Sequence, residues 1–201
     1  MAVSKTRSAA DIREAHYAQI QHIGENYLQE ALAKIAELED LPLVWHFIGP
    51  IQSNKTRAIA EHFNWVHSVD RLKIAQRLST QRPAELPPLN ICLQVNISDE
   101  PSKAGVSLAE LPELANAVAA LPQLRLRGLM AIPAPAVTSA ERRAPLRALR
   151  EAMLALDLPL DTLSMGMSDD LDEAIAEGAS MVRIGSALFG ARDYSTPPSK
   201  G

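Results

Sequence analysis

Cysteine is nearly absent from this 201-residue sequence, Cys92 being its only one. That excludes an intramolecular disulfide and any metal site built from several thiolates. Aromatic residues are scarce at 4%, and no apolar run reaches the roughly 18 residues that a membrane span needs. The opening stretch, Met1 to Arg7, has no apolar segment after its charges. It does not read as a signal peptide, and the expected location is cytoplasmic. Charge of one sign is not in excess either: the formal net charge is −4, which argues against nucleic acid as a partner. What is there is an apolar fraction of 47% and a charged fraction of 22%, enough for one well-filled core. No linker or internal repeat divides the chain. A single domain is expected over residues 1–192, with a flexible tail at 193–201.

Short β-branched or aromatic runs alternate with helical patterns about 10 to 15 residues long, the mark of βα units on a parallel sheet. The expected strands are Ala2–Ser4, Ile23–Asn26, Val44–Ile48, Trp65–Val69, Leu89–Val95, Leu126–Ile132, Thr162–Met165 and Met181–Ile184. The spacing predicts helices over Ala9–Ile20, from Leu28 through Leu38, over Lys55–Phe63 and over Arg71–Thr80. Another helix face carries Leu108, Leu111, Leu114, Ala115 and Val118. A later one carries Leu146, Leu149, Met153 and Leu156, with Pro145 tolerable only in its first turn. Ser168 reads as the N-cap of a helix through Leu171, Ala174 and Ile175. Eight strands, each followed by a helical pattern, are the count of an α/β, single-domain (β/α)8 barrel of the TIM type. An open doubly wound sheet is the alternative.

In such a barrel the C-terminal strand ends face the site. Here they hold Lys5, Asn26, His46, Ser68, Asn96, Met130, residues 164–168 and Arg183 to Ser186. A lysine in a barrel mouth loses hydration, which favours the neutral, nucleophilic amine that a Schiff base requires. Gly185 allows close backbone approach, and Ser186 opens a turn whose N–H groups suit an anion, with Ser168 adding a hydroxyl. Closing a barrel sets its last strand beside its first. An aldehyde at Lys5 and a phosphate near Gly185 together describe pyridoxal 5′-phosphate (PLP). Arg183 points to the same face by alternation and reaches toward the pyridine nitrogen, where a permanent cation weakens the ring as an electron sink. Each feature also has a plainer reading: an exposed lysine, a turn glycine, a helix-capping serine. Asn26 and His46 point toward the mouth by strand phase, His46 as a proton donor or as a structural histidine. Cys92 reads as a buried, inert thiol.

The segments Val3-Ser4-Lys5-Thr6, Gly24-Glu25-Asn26-Tyr27, Trp45-His46-Phe47-Ile48-Gly49, Met165-Gly166-Met167-Ser168-Asp169-Asp170 and Arg183-Ile184-Gly185 resemble the pyridoxal phosphate homeostasis proteins. The resemblance runs from the first residue to about Arg192. It implies a barrel similar to the N-terminal domain of alanine racemase, with PLP as a Schiff base on Lys5. It also implies phosphate at Ser168, Gly185 and Ser186, and Arg183 at the ring nitrogen. The implied role is holding, buffering or delivering PLP in the cell without robust catalysis, with apo PLP-dependent enzymes as partners and a monomeric state. A PLP-dependent amino-acid racemase is the alternative. It needs a second acid–base group opposite Lys5, and Tyr17, Tyr27 and Tyr194 stand in helix or tail contexts. Two departures stand out. The N-terminus is shortened relative to the family, which is expected to lower stability, and Arg7 occupies a position where the family often has lysine.

Overall fold

The computed structural model of the chain describes residues 1–98, 100 and 103–190. The expected tail at 193–201 lies outside the described residues. Seven parallel strands form one sheet in sequence order: β1 (Ala2–Val3), β2 (His22–Glu25), β3 (Val44–Phe47), β4 (Trp65–Val69), β5 (Leu89–Gln94), β6 (Leu124–Met130) and β7 (Thr162–Ser164). Each strand lies beside its sequence neighbour. A doubly wound sheet requires the order to reverse at a switch point, and here it does not.

The segment expected as an eighth strand is not one. Met181 bridges Ser164 of β7 and Ile184 bridges Ala2 of β1, each as a single isolated pair. Backbone hydrogen bonds from Val3 N to Ile184 O (2.8 Å) and from Met165 N to Met181 O (3.1 Å) tie the segment to both edges. The sheet is thus curled until its edges are joined through residues 181–184. Between the two bridges Arg183 N donates to Gly166 O (2.9 Å), and the Arg183 side chain is buried.

Eight α-helices are described: α1 (Ala9–Tyr17), α2 (Leu28–Glu37), α3 (Thr56–His62), α4 (Leu72–Gln81), α5 (Leu111–Ala119), α6 (Ser139–Ala155), α7 (Leu171–Ala176) and α8 (Ser186–Phe189). Helix α1 is shorter than expected because Gln19 turns left-handed (φ 69°) and Ala18 caps it. Leu108 precedes α5 and is exposed, so it does not belong to the apolar face assigned to it. Pro145 lies inside α6, not in its first turn. The helix starts further back because Thr138 and Glu141 form a reciprocal capping box, which stabilises a start upstream of the proline. Nor is Ser168 an N-cap: that position of α7 is Asp170, whose carboxylate instead accepts from Met167 N (2.7 Å).

Alternation along the strands separates two apolar layers. The larger core, including Ile23, Phe47, Val66, Ile91, Leu93 and Leu129, packs between the sheet and the helices. A smaller cluster of Trp65, Cys92 and Met130 fills the inside of the curl. Burial among these residues pushes the Cys92 thiol up to about 12. Native protein is therefore expected to resist alkylation at neutral pH and to react with iodoacetamide only once unfolded. Mass analysis with and without denaturant checks this.

Candidate functional site

At the C-terminal ends of the strands lies a cavity of ≈ 270 Å³, lined by Val3, Lys5, Asn26, Ile48, Ile132, Met167, Ser168, Asp169, Arg183, Gly185 and Ser186. Six of the seven residues expected at a cofactor are therefore together: Lys5, Asn26, Ser168, Arg183, Gly185 and Ser186. Two larger surface grooves, ≈ 610 Å³ beside Pro135 and ≈ 330 Å³ beside Leu72, have no lysine in their lining.

His46 is the exception. Its side chain is fully buried and is not part of the cavity lining. Strand alternation gives the correct inward face but not the height. His46 stands a layer beneath the mouth, stacked on Trp65 with ring centroids 5.4 Å apart. Its ring nitrogens contact His22 (2.9 Å) and His67 (2.8 Å).

Lys5 sits in the turn after β1, half-buried, where Thr6 adopts a left-handed backbone (φ 65°). For a β-branched residue that conformation is strained. A polar clamp holds it. Thr6 N donates to Glu30 Oε1 (2.6 Å), and Lys34 Nζ donates to Ser4 O (2.8 Å) and to Glu25 Oε1 (2.7 Å). Lys34 also reaches Glu30, and the Ser4 hydroxyl donates to Glu25. Glu25 and Ser4 point outward by alternation, beneath α2, while Val3 and Lys5 point inward. Burial pushes the Glu25 carboxyl up from its ordinary range, and the Lys34 ammonium opposes this. Sequence reading missed this clamp. The signal available was Glu30 and Lys34 one helical turn apart.

Arg183 is buried on the segment that runs beside β1. Its Nη1 donates to Ser164 O (2.6 Å) and Ser164 Oγ (3.0 Å), and its Nη2 donates to Ala131 O (2.9 Å). Burial pulls its guanidinium down to about 10, still charged at neutral pH. Gly185 precedes α8, and its carbonyl accepts from Leu188 and Phe189. Asp169 also lines the cavity.

Asn26 Oδ1 is buried without a hydrogen-bond partner. A polar atom in that state is a cost unless a ligand satisfies it. Its backbone is fixed by Gly49, where a Cβ would stand 2.0 Å from Asn26 O. Gly49→Ala is accordingly expected to displace the end of β2 and to destabilise by about 3 kcal/mol or more, checked by denaturant unfolding against the parent chain.

A cavity with one amine, one fixed cation, an unsatisfied amide oxygen and two serine hydroxyls suits an anionic carbonyl compound. Residues 1–193 match the alanine racemase N-terminal domain family. The pyridoxal phosphate homeostasis protein of Pseudomonas aeruginosa is 70% identical over 199 residues, covering 99% of this chain and 86% of that protein. That of Escherichia coli K12 is 58% identical over 201 residues, covering 97% and 86%. Among solved structures, PipY of Synechococcus elongatus PCC7942, with PLP bound, has a TM-score of 0.88 at 44% identity, covering 94% of this chain and 91% of that one. The chain belongs to the pyridoxal phosphate homeostasis proteins, within the alanine racemase N-terminal domain family.

Proposed function

We propose that this protein binds PLP in the cavity between Lys5 and Arg183 and serves PLP homeostasis by holding and releasing it, with residues 181–184 acting as the eighth stave of a (β/α)8 barrel. The observation that carries the reading is the convergence of Lys5, the unsatisfied Asn26 Oδ1, Ser168, Ser186 and Arg183 on one small cavity. Its ≈ 270 Å³ is close to the lower end of ligand pockets, roughly 300–1,000 Å³. Bound there, PLP supplies an aldehyde that a lysine amine takes up as a Schiff base with loss of water.

In this reading Lys5 provides the amine, and the clamp on Ser4 and Thr6 aims it. Ser168, Ser186 and the backbone at Gly185 hold the phosphate. Asn26 orients the ring edge. Arg183 faces the ring nitrogen as a cation, which keeps that nitrogen unprotonated and disfavours carbanion chemistry. Tyr17 and Tyr27 are exposed and lie outside the cavity lining, so neither stands opposite Lys5 as a second acid–base group. A carrier is favoured over a racemase on these grounds. It acts as a monomer in the cytoplasm, with apo PLP-dependent enzymes as recipients. The test is to mix PLP-loaded protein with an apo-enzyme in the presence of a trap for free PLP. Reactivation supports delivery. Exchange of the alanine α-proton at enzymatic turnover would replace the carrier reading with the racemase.

A further inference from the structure

Three imidazoles cross the inside of the sheet in a line. His22 Nδ1 lies 2.9 Å from His46 Nε2, His46 Nδ1 lies 2.8 Å from His67 Nε2, and His67 Nδ1 lies 2.8 Å from Ser164 Oγ. The register explains the line. His22 pairs with Val44 and His46 with Trp65, so each histidine stands two residues further along its strand than the pairing partner of the one before. The chain therefore climbs from the exposed first residue of β2 to Ser164 at the top of β7, where Arg183 donates to the same hydroxyl.

We propose that His22, His46 and His67 form a directed hydrogen-bond relay that fixes the hydroxyl hydrogen of Ser164 and so positions Arg183 at the cavity wall, with His22 as its solvent terminal.

The direction follows from donor counting. A neutral imidazole has one donor and one acceptor, so reversing one bond in the line reverses all of them. Arg183 only donates, and it takes a lone pair of Ser164 Oγ. The hydroxyl hydrogen of this fully buried serine then needs an acceptor, and His67 Nδ1 is within reach. His67 must carry its proton on Nε2 and give it to His46 Nδ1. His46 in turn gives its Nε2 proton to His22 Nδ1, leaving the Nε2 hydrogen of His22 toward solvent. The opposite direction would fill both lone pairs of Ser164 Oγ and leave its hydrogen without one of these acceptors. Cooperative polarisation favours a chain aligned in one sense.

The charged and titratable groups around the rings agree with neutrality. The Met1 amine faces all three rings from the β1 side, and Arg183 faces His67. Arg127 stacks over Trp65, beside Cys92, at 4.7 Å from the ring centroid. Burial, reinforced by Arg183 and the Met1 amine, pulls His67 down to about 3. Burial, reinforced by the two neighbouring histidines and the Met1 amine, pulls His46 well below its ordinary value. Burial lowers His22 too. A protonated His22 would set its Nδ1–H against the Nε2–H of His46, so charging it requires the line to reverse or to break.

The test uses the protein without PLP, so that its outcome is separate from that of PLP binding. Nitrogen NMR of ¹⁵N-histidine-labelled protein at neutral pH is expected to find both His46 and His67 with the proton on Nε2. A proton on Nδ1 of either ring overturns the proposal. Ser164→Ala removes the fixed donor. In that variant His46 and His67 are expected to become tautomer mixtures in equal proportion, and the His22 midpoint is expected to rise toward 6.5, its ordinary value. Ser164→Thr keeps the hydroxyl and is expected to restore the single tautomer. Unchanged His46 and His67 spectra and an unmoved His22 midpoint in Ser164→Ala would mean that the histidines only fill space, and would also overturn it.

Discussion

Lys5→Ala protein, incubated with PLP and desalted, is expected to be colourless, with complete loss of the visible Schiff-base absorbance that the parent chain retains. The hydroxyls of Ser168 and Ser186 and the Arg183 guanidinium remain in the variant, so weak and exchangeable binding persists while the covalent link does not. Nearby cations offer no substitute. Arg7 lies over the Phe189 ring at 5.8 Å, and a guanidinium does not form a Schiff base. Lys34 is engaged by Glu25 and Glu30 beneath the turn. An absorbance spectrum after desalting decides the matter: a full-strength band in the variant would assign the aldehyde to another amine.

Lys34→Met is expected to produce the largest loss of stability. Lys34 is the cation of a buried group whose other members are Glu25, Glu30 and the Ser4 carbonyl. Deleting one partner of such a pair leaves an uncompensated charge and costs about 3–5 kcal/mol, or roughly 6–20 °C in melting temperature for a chain of this size. Glu25 supplies the sign of the pH dependence. Its carboxyl is raised by burial above the unfolded value, so the folded state binds the extra proton. The stability this group contributes is present in acid and is lost as pH rises through the folded value. Without Lys34 the carboxyl rises further, so the deficit of Lys34→Met widens between about pH 5 and about pH 8. Adding Glu25→Gln removes the stranded charge and is expected to recover most of the loss. Because Lys34 also holds the Ser4 carbonyl, PLP retention by the single variant is expected to fall as well. Denaturant unfolding at the two pH values measures the first effect, and a deficit under 1 kcal/mol at both would contradict the role given to Lys34.

The cavity lining was legible where position along the curled sheet determines it. Lys5 and Asn26 follow β1 and β2, Arg183 and Gly185 lie on or just after the segment that bridges β7 and β1, and the C-terminal ends of a curled parallel sheet converge on one mouth. Ser168 reached the cavity although its reading as a helix cap failed, because Asp170 holds that position and leaves the serine on the rim. His46 shows the limit of period-two reasoning: alternation tells which side a residue faces and is silent on depth. The relay was invisible for the same reason, since His22, His46 and His67 meet only through the stagger of three strands. His22 in particular had no partner at helical or strand spacing in the sequence. Met181–Ile184 has the composition of a strand, yet Arg183 N bonds to the carbonyl of Gly166, a glycine with left-handed φ (94°), and the segment meets its neighbours only through single bridges. A one-dimensional pattern holds no trace of that irregularity.

Borohydride reduction of the PLP-loaded protein, followed by proteolysis and mass mapping, tests the central claim most directly. The expected result is a pyridoxyl group on the peptide containing Lys5 and on no other lysine peptide. A reduced adduct elsewhere, or none at all, would contradict the account.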